Sequence, residues 1–113
     1  MVRRALVPLL LAVAAVAAAC LVPAGQAGAN VAGVVVGDSF FSPAQRTVTA
    51  GDTVIFSRAQ NSTLAHSVTS DTGLFDQEVG DQQHPIGLRF LQPGTYAYHC
   101  KYHSQMHGTL VFT

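Results

Sequence analysis

Charge is scarce in this chain of 113 residues, and so are cysteine and tryptophan. Charged residues make up 11% of the sequence, tryptophan is absent, and there are two cysteines. The few Lys and Arg residues form no basic stripe, so nucleic acid is excluded as a partner. Convincing helical periodicity, internal repeats and low-complexity tracts are also lacking in the part after residue 29, which argues against a helical or repeat architecture.

The first 29 residues lack aromatic side chains altogether, whereas every Phe and Tyr lies beyond residue 30. Arg3 and Arg4 precede an almost pure Ala, Leu and Val run from Ala5 to Val22, and the small residues Ala27-Gly28-Ala29 follow it. This order of basic, apolar and small-residue parts is typical of a secretory signal peptide. We therefore predict a cleaved signal over 1–29, one domain over 30–113, and an exported protein, periplasmic or extracellular.

Two alternatives for the N-terminal segment keep the protein at a membrane. A retained anchor needs about 20 apolar residues, and the run is two residues shorter and contains Pro8. Lipidation of Cys20 is the other alternative, although bacterial lipoprotein signals usually have Leu or a similar residue where Ala17 stands. Membrane association is thus expected only if the signal is retained or Cys20 is lipidated.

Short β-strand patterns separated by turn residues fill the rest of the chain. In Thr95 to Cys100 the alternation is strict, with Tyr96, Tyr98 and Cys100 on one face and His99 on the other. Several such strands without a helix predict a small antiparallel β-sandwich. The other predicted strands include Val31 to Val36, Arg46 to Thr49, Thr53 to Ser57, His66 to Thr69, Ile86 to Phe90 and a last strand from Thr109 to Phe112.

Cleavage after Ala29 would leave Cys100 as the only cysteine. The same cleavage would leave four basic and six acidic residues, a net charge of 4 − 6 = −2 with His neutral. Exported proteins normally use cysteines in disulfides, so a single exported thiol is unusual unless something occupies it. A bound metal would occupy the thiol and protect it from oxidation.

Soft metal ligands are concentrated in the stretch YHCKYHSQMHG, from Tyr98 to Gly108. Within it Cys100, His103 and Met106 have the spacing C-x2-H-x2-M, and His66 stands upstream in the run LAHSVTS. Two imidazoles, one thiolate and a weak thioether form the ligand set of blue-copper electron-transfer centres.

On these residues the chain resembles the cupredoxins, the small blue-copper proteins, and most closely the amicyanin and pseudoazurin type. The resemblance covers nearly all of 31–113. It implies a Greek-key β-sandwich, one type 1 copper ion held by His66, Cys100, His103 and Met106, and no catalysis. The implied role is a monomeric electron carrier that meets a redox-protein donor and a redox-protein acceptor transiently.

The sequence departs from these relatives at two places near the predicted ligands. Many relatives have Pro directly after the loop histidine, where this chain has Ser104. Relatives often have Asn on the strand before the first ligand, and this chain has Arg58 there. We therefore expect the usual tie between that strand and the ligand loop to be missing. Ser67, next to His66, is expected to support the thiolate by hydrogen bonding.

Two functions other than electron transfer are compatible with the sequence. A copper-delivery protein of the same fold is the main alternative, and an interaction domain without metal is a third. His99 precedes Cys100, as does the His that ligates a second copper in two-copper nitrite reductases and multicopper oxidases. Since no second His-rich motif completes such a site, we interpret His99 as an outward surface residue and His84 and His107 as solvated.

Overall fold

The computed structural model describes residues 30–113. The predicted signal peptide, the alternative anchor and Cys20 all lie outside this range. Within it there are nine strands and no helix, and accordingly none that is long and apolar enough to cross a membrane. The strands are β1 (Val31–Val36), β2 (Phe41–Ser42), β3 (Gln45–Val48), β4 (Thr53–Arg58), β5 (Ser67–Ser70), β6 (Asp76–Glu78), β7 (Ile86–Arg89), β8 (Gly94–Cys100) and β9 (His103–Phe112).

The strands form two sheets, which confirms the predicted all-β sandwich. One sheet has the order β2-β1-β4-β7 and the other the order β3-β9-β8-β5-β6. The prediction of a purely antiparallel arrangement was wrong, because β1 pairs with β4 and β3 pairs with β9 in parallel. Alternation of apolar residues reports which face of a strand is buried but carries no information on strand direction.

Alternating side chains of both sheets fill the space between them. In β4, Val54 and Phe56 are fully buried while their neighbours are half-buried, as the period of two requires. Burial of these apolar faces is the main driving force for packing the sheets together. The core consists of Val34, Val36, Phe41, Val54, Phe56, Val68, Val79, Leu88, Tyr98, Cys100, Met106, Leu110 and Phe112.

Tyr98 occupies the centre of this core. Its ring packs edge-on against Phe41 and Phe56, with ring centroids 4.8 and 5.4 Å away. Its register partner on the neighbouring strand β9 is Gly108, where a side chain would overlap the tyrosine ring and hydroxyl. Within residues 30–113 the buried hydroxyl has no hydrogen-bond partner, and burial raises the pKa of Tyr98. The absence of a side chain at Gly108 therefore makes room for the largest buried residue of the domain.

The last strand begins six residues earlier than the predicted Thr109. Strand β9 starts at His103, and its pairing with β8 jumps from His99↔His107 to Cys100↔His103. Three residues of β9, 104–106, are thereby left without a partner on β8, as in an extended β-bulge. The irregularity changes the side-chain alternation just where the ligand motif lies, which a sequence pattern of period two does not reveal.

Candidate metal centre

Three of the four predicted ligands lie together at one end of the sandwich. Cys100 ends β8, His103 begins β9, and His66 immediately precedes β5. The Cys100 Sγ atom is 3.4 Å from His103 Nδ1 and 3.9 Å from His66 Nδ1, and one ligand atom from each residue falls within 4.8 Å of the others. Side chains separated by up to 37 residues in sequence are thus gathered around one point.

Burial differs among these residues in a way that bears on their chemistry. Cys100 and His66 are 2% and 1% exposed, whereas His103 is partly exposed. The two imidazole rings are 4.9 Å apart between centroids. The thiol is therefore shielded from water and oxidants, and one histidine connects the cluster to the surface.

Met106, the fourth predicted ligand, is fully buried in the same sheet. It lies three residues after His103, in the unpaired part of β9, where Ser104 and Gln105 are both exposed. The irregular backbone allows Met106 to turn inward despite this odd spacing. Its ligation of a metal stays a prediction.

The orientation of His66 is fixed by a carboxylate that the sequence did not point to. Asp38 Oδ1 lies 2.9 Å from His66 Nε2. Because an ionised carboxylate only accepts hydrogen bonds, Nε2–H is the donor and Nδ1 is left with its lone pair toward Cys100. Such a carboxylate behind a ligand histidine fixes the ring and increases its basicity.

Asp38 is itself held in place by the loop that leads to His66. The Ser62 hydroxyl donates a hydrogen bond of 2.6 Å to it, and the backbone N–H groups of Thr63 and Leu64 donate two more at 3.2 Å. The hydrogen bond from Ser62, followed by that from His66, holds the pKa of Asp38 well below its usual range. A permanent negative charge therefore stands behind His66 at all physiological pH values.

Arg58 supplies the tie between β4 and the ligand loop that we expected to be missing. Its guanidinium donates hydrogen bonds to the Leu64 carbonyl at 2.6 Å and to the Ser62 hydroxyl at 2.9 Å. It also reaches the carbonyls of Val79 and Gly80, at 3.2 and 2.8 Å. The planar, five-donor guanidinium makes these four contacts at once, which an Asn side chain could not.

Ser67 supports the other side of the cluster by hydrogen bonding. Its hydroxyl contacts the backbone next to Cys100 and not the sulfur atom, which differs from the expected contact. Its hydroxyl accepts a hydrogen bond of 2.9 Å from the backbone N–H of Lys101, the residue after Cys100. A second hydrogen bond, of 2.7 Å, joins it to Thr69. The end of β8 is thereby fixed relative to β5, and with it the position of the thiol.

The remaining histidines lie outside the cluster. His99 is on the opposite face of β8 from Cys100, and its Nδ1 atom is 2.6 Å from Asp71 Oδ1. His107 is exposed on β9, and His84 is exposed with its Nδ1 atom 2.6 Å from Asp81. These positions agree with the interpretation of His84 and His107 as solvated and of His99 as outward-facing.

The donor set and its surroundings fit one copper ion. Imidazole and thiolate nitrogen and sulfur donors suit copper in both of its oxidation states. Cys100 has no disulfide partner and is the only cysteine in the part of the chain that the structure describes. The two Nδ1 atoms are directed at the thiol, and His66 already has the tautomer that ligation through Nδ1 requires.

Comparison with known proteins gives one family match and several similar structures. Residues 9–112 match the model of the cupredoxin-like domain. No curated protein matches the sequence significantly. An oxidised plastocyanin from Dryopteris crassirhizoma is 25% identical, with a TM-score of 0.62 over 73% of this chain and 100% of its own.

Two further structures share the fold at lower identity. A single-residue mutant of amicyanin in its oxidised state is 23% identical, with a TM-score of 0.66 over 80% of this chain and 89% of its own. A purple cupredoxin from Nitrosopumilus maritimus is 20% identical, with a TM-score of 0.63 over 73% of this chain and 99% of its own. Since the family model matches most of the sequence, and the sandwich and its cluster agree with it, the chain belongs to the cupredoxin-like domain family.

Proposed function

We propose that the protein is an exported type 1 copper protein that carries single electrons between redox partners. His66, Cys100 and His103 would hold the ion, with Met106 as a weak axial ligand. Copper would supply one-electron chemistry by cycling between Cu(I) and Cu(II). The protein would act as a monomer that meets its donor and its acceptor transiently, and no bond of a substrate would be made or broken.

The observation that carries this proposal is the arrangement of His66, Cys100 and His103 around one point. Their ligand atoms lie within 4.8 Å of one another, and the supporting hydrogen bonds come from Asp38 and Ser67. Ligands fixed by surrounding structure need to rearrange little when the charge of a bound ion changes. A small rearrangement is what rapid electron transfer requires.

The partial exposure of His103 supports the proposal that electrons enter and leave the copper site through this residue. Cys100, His66 and Met106 are all buried, so His103 is the ligand through which a docked partner would approach most closely. The neighbouring Tyr102 is 48% exposed, so this large side chain adds surface next to that histidine. Transient redox complexes bury less surface than stable ones, under about 1,200 Å² in total.

Cyclic voltammetry of the copper-loaded protein, combined with competition by a Cu(I) chelator, tests the proposed function. An electron carrier should give a reversible one-electron wave and keep its copper during many reduction cycles in the chelator. A copper-delivery protein would instead lose the metal to the chelator as soon as it is reduced. Loss of copper within a few cycles would therefore replace electron transfer with delivery as the function.

Export is the second part of the proposal, and it depends on the sequence of residues 1–29. Expression of the full chain in a bacterial host, followed by N-terminal sequencing of the mature protein, tests it. A mature N-terminus at Asn30 is expected. An intact segment 1–29, or a lipidated N-terminus at Cys20, would support one of the two membrane-associated alternatives.

A further inference from the structure

Two histidines that the copper centre does not use face each other on the outer surface of the larger sheet. His99 on β8 and His107 on β9 are register partners, and their ring centroids are 6.4 Å apart. Both point away from the core, because Tyr98, Cys100 and Gly108 beside them are buried. Directly opposed residues of neighbouring strands are close enough for their side chains to act together.

A carboxylate already orients one of these rings. Asp71 Oδ1 accepts a hydrogen bond from His99 Nδ1 at 2.6 Å, which leaves Nε2 of His99 as the nitrogen with a free lone pair. Asp71 is fixed in turn, since its backbone N–H donates to the Ala97 carbonyl at 2.9 Å. This arrangement of carboxylate, imidazole and open nitrogen is the one that usually supports a metal-ligating histidine.

His107 offers a second open imidazole at the same place. Among residues 30–113 neither of its ring nitrogens has a hydrogen-bond partner. His99, His107 and Asp71 line one open depression of about 730 Å³. The cation that also lines it, Lys101, is paired with Asp76 and Glu78 at 3.2 and 2.8 Å, so its charge is largely compensated there.

We propose that His99 and His107 bind one divalent transition-metal cation of the Zn²⁺ or Cu²⁺ class, with Asp71 as the orienting carboxylate and water completing the coordination. Imidazole suits both ions. Two imidazoles on one ion at metal–nitrogen distances of about 2.0–2.1 Å have ring centroids roughly 5 Å apart when the angle between them at the metal is tetrahedral. The observed separation of 6.4 Å is wider by roughly 1 Å, which rotation of the exposed His107 side chain can close.

This site lies beside the copper centre, since Cys100 also lines the depression, but on the other face of the sheet. Cys100 and His99 are adjacent in β8, so their side chains lie on opposite faces of the sheet. The same domain also contains a natural control. His84 has an aspartate 2.6 Å from its Nδ1 atom, as His99 does, but no second histidine faces it. If a carboxylate–imidazole pair alone were sufficient, His84 would bind the cation as well.

Titration of the Cu(I)-loaded protein, in which His66, Cys100 and His103 are already engaged, with ZnCl₂, followed by NMR of the histidine ring resonances, tests the proposal. The resonances of His99 and His107 should move together with one midpoint, while those of His84 stay in place. His107→Gln should abolish the response of His99. Asp71→Asn should weaken zinc binding by about tenfold, the lower end of the usual effect for such a supporting residue.

The matched control is His84→Gln, which should leave the zinc response of His99 unchanged. Different midpoints for His99 and His107, or a His99 response that persists in His107→Gln, would overturn the proposal. Because the measurement follows each histidine separately, zinc that enters the cluster shifts the resonances of His66 and His103 and is thereby distinguished from zinc at His99 and His107.

Discussion

At the level of single residues, His66 and Asp38 would influence the reduction potential of a bound copper ion. The Asp38 carboxylate stays ionised because Ser62, His66 and two backbone N–H groups donate hydrogen bonds to it. Its negative charge lies on the far side of the His66 ring from Cys100. A negative charge near the metal favours the more highly charged Cu(II) over Cu(I), so Asp38 should lower the reduction potential.

Asp38→Asn should therefore raise the reduction potential while the fold is retained. An asparagine still accepts a hydrogen bond from His66 through its carbonyl oxygen but has no charge. We expect affinity for Cu(II) to fall by roughly tenfold to a hundredfold, the usual effect of replacing a residue that supports a ligand. Protein voltammetry and competition titration with a Cu(II) chelator measure the two quantities.

The control for this prediction is Asp81→Asn, which removes an aspartate that contacts a histidine outside the cluster. It should change neither quantity. A lower potential in Asp38→Asn, or an equal shift in Asp81→Asn, would show that Asp38 does not act through His66.

Individual ligands could be proposed from the sequence, but their supports could not. The spacing from Cys100 to Met106 is local, and metal-binding residue types in such density are rare enough to be noticed. Asp38 is 28 residues from His66 and lies in an ordinary turn sequence, Gly37-Asp38-Ser39. Only the folded chain brings such a carboxylate behind its histidine, and the same holds for the contacts of Arg58.

At the level of structural elements, the pairing of β8 with β9 builds the centre. The two strands carry Cys100, His103 and Met106, and they are held in register through the Tyr98–Gly108 pair next to the cluster. Tyr98 lies over Gly108 because that position has no side chain. Packing at this pair should therefore control both the stability of the domain and the geometry of the ligands.

Gly108→Ala should destabilise the domain by about 1 to 3 kcal/mol, the usual cost of overfilling a packed core. The added methyl group would overlap the Tyr98 ring, which Phe41 and Phe56 prevent from moving aside. Urea unfolding followed by circular dichroism should show a lower midpoint with an unchanged slope.

Gly33→Ala is the matched control, since Gly33 also lies in a strand but has no atom within 4 Å of an added methyl group. Its free energy of unfolding should change by no more than about 0.5 kcal/mol. Equal destabilisation by both substitutions would mean that loss of glycine in a strand, and not contact with Tyr98, causes the effect.

The strands themselves were largely predictable, because alternation of buried and exposed residues is a local property. Val54 and Phe56 in β4 and Tyr98 and Cys100 in β8 lie on the predicted faces. Strand direction was not predictable, since the parallel partners β1 and β4 are joined only through intervening strands. The early start of β9 also escaped prediction, because residues 104–106 break the alternation on which the assignment of strands depends.

At the level of the whole molecule, four carboxylates with lowered pKa values connect stability to acidity. Hydrogen bonds lower the pKa of each group: from Ser62 for Asp38, from Thr69 for Asp76, from Lys101 for Glu78 and from His84 for Asp81. Each group then binds protons more weakly in the folded than in the unfolded state. These four groups stabilise the folded state at pH values above their unfolded pKa values of about 4. This stabilisation is lost as the pH falls below those values.

The urea concentration at the unfolding midpoint of the metal-free protein should therefore decrease as the pH is lowered from about 5 to about 3, because the unfolded chain binds more protons than the folded chain in this range. Lys101→Gln should make this dependence shallower, since it removes the cation that Asp76 and Glu78 contact. Added salt should also make the pH dependence of the midpoint shallower, because it screens these surface ion pairs. The midpoint is measured by fluorescence or circular dichroism at each pH.

Arg46→Gln provides the control, because Arg46 forms no ion pair within the part of the chain described. The slope should be the same as in the parent. A urea midpoint that rises as the pH falls would contradict the link between stability and these carboxylates. The same holds if Arg46→Gln flattens the dependence of the midpoint on pH as much as Lys101→Gln does.

The visible absorption spectrum of the Cu(II)-loaded protein, compared with that of Cys100→Ser, tests the central claim most directly. If His66, Cys100 and His103 hold the ion, the parent should show one intense thiolate-to-Cu(II) charge-transfer band at one copper per chain. Cys100→Ser should keep its far-ultraviolet circular dichroism and lose the band, with any remaining copper held by the imidazoles. A parent protein that binds Cu(II) without an intense band, or a Cys100→Ser variant that keeps it, would contradict the account.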